Sequence, residues 1–200
     1  MKYKHLSKIV LDEISETILD IPEIQTNNLI NEIIKSQRVF LIAIGRVNLA
    51  LQCFGKRLSH LGFKVELVGS LTEKPATKKD LLIVASGSGE SVIPLNIAKK
   101  AKKIGCKILH ITSAKNSSIR KLADHVVEIK SPTKPNPKKL KKKEKESLSD
   151  SISKTKSSIQ PMSTIFDQVL HIYGDLVAIQ MIDKMKLKKI NLWKYHANLE

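Results

Sequence analysis

The sequence predicts an α/β domain, a three-layer αβα sandwich around a five-stranded, mostly parallel, doubly wound sheet. Short apolar runs alternate along residues 38–130 with segments of helical periodicity, as expected for strands covered on both faces. Glycines follow most of these runs and segments, which is typical of strand ends and helix C-termini. Such alternation indicates a parallel sheet whose crossovers are helices. We expect a single domain over residues 1–200, because 200 residues with 42% hydrophobic content can form one core.

The elements follow from local periodicity. Residues 1–37 are expected to form N-terminal helices, with apolar residues at helical spacing from Leu6 to Ile18, an interruption at Pro22, and a second apolar face at Leu29 and Ile33. Residues 38–130 form the predicted sheet core. The expected strands cover residues 39–44, 63–68, 80–85, 106–111 and 125–129, and the helices between them cover residues 48–60, 91–104 and 117–123.

The composition changes over residues 131–158, which we interpret as a flexible, lysine-rich insert. Nine lysines there face only three acidic residues, and no apolar period survives. Residues 159–200 are expected to form one long helix, beginning after Pro161, and a short tail. That tail is too short to fold alone, so we expect it to dock on another part of the protein.

The net charge of +16 favours anionic ligands over most other partners. Only four of the 35 basic residues are arginines and aromatic residues make up 4%, which argues against nucleic-acid recognition by base contacts or stacking. A nucleic-acid tether stays open for the insert alone. No uninterrupted apolar run reaches the ~18–20 residues that span a bilayer, so we expect a soluble, cytoplasmic protein. Cys53 and Cys106 lack metal-ligand spacing, and no metal is expected.

The loop of residues 86–91, Ser-Gly-Ser-Gly-Glu-Ser, is the most informative short motif. It joins a buried strand to a helix at the carboxyl edge of the predicted sheet, where ligands bind in open α/β folds. Its glycines let the backbone approach an anion, and Ser86, Ser88 and Ser91 can donate hydrogen bonds beside the helix N-terminus. Neither the Walker spacing nor G-x-G-x-x-G is present. The loop therefore predicts a phosphate site, and an ordinary helix-capping turn is the alternative.

This serine loop resembles the phosphate loop of sugar isomerase (SIS) domains. Residues 158–168, Ser-Ile-Gln-Pro-Met-Ser-Thr-Ile-Phe-Asp-Gln, are similar to Ser-Ile-Gln-Pro-Met-Gly-Ser-Leu-Phe-Glu-Gln of the 6-phospho-3-hexuloisomerases. Residues 196–200, His-Ala-Asn-Leu-Glu, look like the closing residues of the same family, and the segment from Gly45 to Gly62 also fits. The resemblance covers essentially the whole chain apart from the insert.

The resemblance implies an isomerase without metal or cofactor that interconverts 3-hexulose 6-phosphate and fructose 6-phosphate in the ribulose monophosphate pathway. The carbonyl would move from C3 to C2 by proton transfer through a cis-enediol. The serine loop, Arg46 and Gln160 would bind the phosphosugar. Asp167 would be the general base, because it occupies the position of the family's Glu; a solvated helix residue is the alternative reading.

His60 and His196 are further acid–base candidates. In similar isomerases the histidine that matches His196 enters the site of a neighbouring subunit, so the resemblance also implies a homo-oligomer, a tetramer, with sites between subunits. His60 alone would more simply be a surface or helix-capping group.

Two departures from the family pattern keep other functions open. The family has Gly-x-Gly-Arg-Ser-Gly after the first strand, whereas Val47 and Asn48 follow Arg46 here, and the base position holds Asp167 rather than the longer Glu. The alternatives are a non-catalytic regulator that binds a sugar phosphate, and an isomerase of another phosphosugar such as arabinose 5-phosphate.

Overall fold

A five-stranded parallel sheet forms the centre of the computed structural model, which describes residues 2–132, 158–188 and 192–199. The strands are β1 (Val39–Ile42), β2 (Val65–Leu67), β3 (Leu81–Ala85), β4 (Lys107–Thr112) and β5 (His125–Glu128). They lie in the order β2-β1-β3-β4-β5, and all four neighbouring pairs are parallel. The sequence predicted a mostly parallel sheet, and the sheet is parallel throughout.

Six helices surround or extend this sheet in the described part of the chain. They are α1 (Tyr3–Leu19), α2 (Glu23–Lys35), α3 (Gly45–His60), α4 (Val92–Ile104), α5 (Ser118–Leu122) and α6 (Thr164–Lys184), with a 3₁₀ turn at Pro161–Ser163 before α6. The helix predicted from residue 48 begins three residues earlier, because Gly45 adopts a positive φ of 60° and turns the chain directly from strand to helix.

Alternate strand residues face two separate apolar layers, which confirms the αβα sandwich. Leu41 and Ile83 point toward α2, α3 and α6, whereas Phe40, Leu82 and Ile108 point toward α4 and α5. Every residue of β1 and β3 is buried. Burial on both faces explains why these strands are continuous apolar runs without the alternation of a half-exposed strand.

The strand order creates a crevice at one edge of the sheet. After β1 the chain crosses to β2 on one side, and it then returns to form β3 on the other side of β1. The connections that leave the carboxyl ends of β1 and β3 therefore diverge, which is where open α/β sheets bind ligands. Gly45 and Arg46 follow β1 at this point, and the serine loop follows β3.

Helix α6 is the most buried helix of the fold. Its length and composition alone would suit a membrane span, but 56% of that apolar window is buried inside the protein. The helix packs into the main core through Phe166, Val169, Tyr173 and Met181. The apolar residues of α6 therefore form part of the interior of the domain. Residues 133–157, most of the predicted insert, lie outside the described residues.

Candidate active site

The serine loop is held in a defined turn by its own side chains. The Ser86 hydroxyl oxygen accepts a hydrogen bond from the Gly89 amide at 3.2 Å and lies 3.1 Å from the Ser91 hydroxyl. The Ser88 hydroxyl accepts from the Glu90 amide at 3.3 Å. Ser86 is buried whereas Ser88 is exposed, so the loop presents hydroxyls at two depths.

The N-terminus of α4 adds backbone donors to the same loop. Ser91 occupies the N-cap position, but its side chain makes no capping hydrogen bond. The amides of Val92 and Ile93 have no intrahelical acceptor because the helix begins there. These amides and the positive end of the helix dipole face an incoming anion together with the serine hydroxyls. The arrangement has the chemistry of a phosphate cradle.

Close packing beneath the loop explains why it needs a glycine at residue 89. A Cβ at Gly89 would lie 2.1 Å from the Ser117 Oγ and 3.0 Å from the His110 Cε1, and its φ is +64°. His110 is completely buried under the loop. Burial lowers the pKa of His110 to about 4, although the Ser86 backbone carbonyl acts in the opposite direction. The imidazole is therefore neutral at physiological pH.

An ion pair beside the loop joins α3 to α6. The Arg46 Nε donates to the Asp167 Oδ2 at 2.5 Å, across 121 residues of sequence. The Asp167 side chain is only 7% exposed, whereas the Arg46 side chain is 70% exposed. The other carboxylate oxygen, Asp167 Oδ1, is buried and has no hydrogen-bond partner among the described residues. One oxygen of the carboxylate is thus paired with Arg46, and the other is buried and unpaired in this state of the protein.

A cleft of about 680 Å³ contains the serine loop and this ion pair together. That volume lies within the usual range for small-molecule sites. Five of the residues that sequence reasoning selected line it: Arg46, Ser86, Ser88, Ser91 and Asp167. A neighbouring cavity of about 340 Å³ also touches Arg46 and Asp167, but its other lining residues come from α1, α3 and α6 and are mostly apolar. The larger cleft is the candidate site because it holds the anion donors.

Gln160 lies beside the cleft without lining it. Its side-chain amide donates to the Glu13 Oε2 at 3.0 Å, so this predicted substrate ligand is engaged with α1. Two residues that follow Pro161, Met162 and Thr164, have a different placement. Met162 lines the cleft with a positive φ of 56°, and Thr164 lines it at the start of α6. We call residues 158–163 the strap.

The two candidate histidines meet at the far end of α3. The ring centroids of His60 and His196 are 5.1 Å apart in a stacked arrangement, and the Tyr195 ring packs against Gly62. The tail therefore docks on its own chain, where the sequence predicted only that it must dock. Arg46 and His60 are 14 residues apart on one helix, about 21 Å at 1.5 Å per residue. Within one chain the structure does not bring the histidines to the cleft.

Sequence reasoning missed three polar or flexible groups of the cleft. Ser113 lies just after β4, and its hydroxyl is 2.8 Å from the Ser131 hydroxyl. The rule that found the serine loop applies equally to β4, because the carboxyl ends of adjacent parallel strands share one edge. Met162 and Thr164 gave no comparable local signal, since their position depends on how the strap is held.

Comparison with known proteins shows where this architecture belongs. The SIS domain family matches residues 32–140. The 3-hexulose-6-phosphate isomerase of Bacillus subtilis (strain 168) is 30% identical over 191 residues, which cover 96% of this chain and 95% of the relative. The protein of the same name from Methanocaldococcus jannaschii is 34% identical over 197 residues, which cover 94% of this chain and 96% of the relative.

A solved structure supports the same assignment. The structure of a Methanococcus jannaschii protein superposes with a TM-score of 0.77. The molecular function inferred for that protein from its structure is 3-hexulose-6-phosphate isomerase. It is 30% identical, and the match covers 95% of this chain and 98% of that one. The chain therefore belongs to the SIS domain family and, within it, to the group that contains the 3-hexulose-6-phosphate isomerases.

Proposed function

We propose that this phosphosugar isomerase interconverts 3-hexulose 6-phosphate and fructose 6-phosphate. One observation carries the proposal: a single cleft is lined by an anion cradle, a guanidinium group and a buried carboxylate with one unpaired oxygen. The relatives named above as 3-hexulose-6-phosphate isomerases support this choice of substrate.

The phosphate is proposed to bind in the serine loop. Ser86, Ser88 and Ser91 supply hydroxyls, and the first turn of α4 supplies amides and a favourable dipole. Gripping the C6 phosphate fixes the distance of C2 and C3 from the loop. Such anchoring converts a chance encounter between base and carbon acid into a prearranged one.

Asp167 is the proposed general base. Its Oδ1 removes the proton from C2 of the 3-ketose while the C3 oxygen gains a proton, which gives the cis-enediol. The proton on the C2 oxygen then leaves, and C3 receives a proton from Asp167, which completes fructose 6-phosphate. Protons and electron pairs balance over the two steps, and the carboxylate returns to its starting form.

Arg46 is proposed to serve both the base and the intermediate. Its Nε orients the Asp167 carboxylate through Oδ2, and its two terminal nitrogens belong to a side chain that is largely exposed. Those nitrogens can donate to the C2 and C3 oxygens as negative charge develops there. A cation placed where charge develops stabilises the transition state more than the ground state.

His60 and His196 would act from a second copy of the chain. They lie about 21 Å along α3 from Arg46, which is too far for direct participation in their own cleft. We therefore propose a homo-oligomer in which the histidine pair of one subunit approaches the cleft of another. In that position an imidazole would move the proton between the two sugar oxygens.

A second candidate substrate follows from Val47. This residue lines the cleft next to Arg46, at a position where the family resemblance implies a hydroxyl donor. An apolar group there removes one polar contact with a sugar or phosphate and favours a substrate of different shape. Arabinose 5-phosphate is the alternative, and a regulator that binds a phosphosugar without turnover is the third possibility.

The test is an assay of the purified protein in D₂O with 3-hexulose 6-phosphate and, in parallel, arabinose 5-phosphate. We expect fructose 6-phosphate to form with deuterium at the carbon that receives the proton. Turnover of arabinose 5-phosphate alone would replace the proposed substrate. A phosphosugar-dependent rise in melting temperature without any product would favour the regulator and reject an isomerase function.

A further inference from the structure

The carboxylate of Glu13, in the middle of α1, accepts three hydrogen bonds from the strap. Its Oε2 accepts hydrogen bonds from the Ser158 hydroxyl and the Gln160 side-chain amide, both at 3.0 Å. Its Oε1 accepts from the Ile159 backbone amide at 3.1 Å. Three donors from consecutive residues thus converge on one carboxylate, 145 to 147 residues away in sequence.

This contact lies on a helix that is otherwise loosely attached. None of the residues of α1 is fully buried, and its apolar contact with the main core comes from the partly buried Ile14 and Ile18. A charged acceptor with several hydrogen bonds is stronger and more directional than such a partial apolar contact. The position of α1 and the position of the strap are therefore coupled through Glu13.

The strap leads directly into the catalytic part of the cleft. Met162 adopts φ 56° and ψ 35°, the left-handed region, which is unfavourable for a residue with a side chain. Such a conformation persists only where the surroundings hold it on both sides. Glu13 holds the chain on one side, and on the other side the Thr164 hydroxyl donates to the Pro161 carbonyl at the start of α6. Asp167 follows within the first turn of that helix.

We propose that Glu13 is a positioning residue for the reaction, a role that rests on the proposed function. By fixing the strap, it sets the Met162 rim of the cleft and the start of α6, and so aligns the Asp167 carboxylate with the sugar carbons. The serine loop is held by separate hydrogen bonds, which are made among its own residues and by the Thr112 hydroxyl of β4. Glu13 therefore acts on the chemical step and leaves the phosphate grip unchanged.

The test compares Glu13→Gln with Glu16→Gln. Both substitutions remove one carboxylate charge from α1, but the Glu16 side chain is exposed and has no role in the strap. A glutamine at residue 13 turns an NH₂ group toward donors that need an acceptor, so at least one of the three hydrogen bonds is lost.

We expect kcat to fall about 10- to 100-fold in Glu13→Gln, the effect of a misplacement near 1 Å. The inhibition constant of inorganic phosphate stays within about twofold. Glu16→Gln retains the kcat of the unmodified protein.

Hydrogen exchange of the amides in residues 159–163 provides a readout that does not require turnover. We expect faster exchange there in Glu13→Gln, and in Gln160→Ala to a smaller extent, with no change in Glu16→Gln. Equal exchange in the two glutamine variants, or a loss of phosphate inhibition as large as the loss of kcat, would overturn the positioning role. If the unmodified protein turns over neither phosphosugar, the proposed function fails while the exchange experiment still decides whether Glu13 holds the strap.

Discussion

The two ends of helix α3 carry different parts of the candidate chemistry. At its N-terminus the exposed Arg46 pairs with the buried Asp167 and borders the serine loop. At its C-terminus the half-buried His60 stacks on the exposed His196 of the docked tail. The first end borders a cleft that is rich in anion donors, whereas the second end meets the tail. Under the proposed function the first end binds the substrate, and the second end would act on a neighbouring molecule.

The largest expected effect comes from removing the base at the first end. Asp167→Asn keeps the shape of the side chain but cannot accept the carbon proton. We expect kcat to fall about 10³-fold, within the range for general-base catalysis. Phosphate binding should change little, because the serine loop is intact. Steady-state kinetics and inhibition by inorganic phosphate check both statements.

Asp175→Asn is the matched control on the same helix. Asp175 pairs with Arg57 at 2.6 Å near the surface, about two turns beyond Asp167. We expect near-normal turnover in this control. A fully active Asp167→Asn variant would show that Asp167 is not the general base. The proposed difference in chemistry between the two ends of α3 would then be wrong.

The next prediction asks whether the second end acts on another subunit. His196→Ala alone should lower kcat about 10²-fold if its imidazole transfers protons. Co-expression of Asp167→Asn and His196→Ala chains should restore activity to about a quarter of normal. Half of randomly formed pairs are mixed, and each mixed pair holds one intact site. No recovery in mixed oligomers of demonstrated composition would contradict a shared site.

The third prediction concerns the pH dependence of stability at the first end. The pKa of His110 is lowered to about 4 by burial, whereas an unfolded chain titrates its histidines near 6.5. Between these values the unfolded state binds the proton and the native state does not. The contribution of His110 to the free energy of unfolding is therefore fully retained above about pH 6.5. It decreases as the pH drops toward 4, by on the order of 3 kcal/mol.

Chemical denaturation between pH 7.5 and 4 measures this dependence. The comparison variant is His110→Leu, which fills similar space without a titratable group. We expect a shallower decrease of unfolding free energy in this variant, whatever its absolute stability. Equal slopes would show that His110 accepts a proton in the folded protein.

The smallest expected effect is at the contact between the tail and α3. A Cβ at Gly62 would lie 2.9 Å from the Tyr195 ring, and the φ of this glycine is +90°. Gly62→Ala should release the tail in addition to straining the backbone. Gly69→Ala is the control, because its φ is +86° and nothing lies within 4 Å of the added atom.

We expect the two alanine variants to share a backbone cost of about 1 kcal/mol. Only Gly62→Ala should expose the tail to protease and reduce turnover. Limited proteolysis with mass spectrometry and thermal unfolding measure these two consequences. Equal protease sensitivity in both variants would show that the Tyr195 contact does not hold the tail.

Local sequence signals were sufficient for the sheet and for half of the site. Buried parallel strands leave continuous apolar runs, and the serine loop is a contiguous motif at a strand end, so both could be predicted. The pairing of Arg46 with Asp167 and of Glu13 with the strap joins residues more than 120 positions apart. Such contacts depend on how α1 and α6 pack, which periodicity does not reveal.

The same limit explains the outcome for the remaining predictions. Gln160 has the residue type of a substrate ligand, and only the packed structure shows that Glu13 engages its amide. The position of the tail was undetermined because a short segment can dock on any complementary surface. Its histidine is found beside His60 rather than beside the substrate cleft of the same chain.

The chemistry of the serine loop has a consequence for how this enzyme could change its substrate. If the serine loop binds the phosphate as proposed, its hydroxyls and amides recognise only the phosphoryl group, which all sugar phosphates share. In the proposed mode of binding, the remainder of the sugar would meet other lining residues of the cleft, such as Val47, Met162 and Thr164. Substituting these three residues would then change the selectivity among sugar phosphates, whereas the serine loop would stay the same.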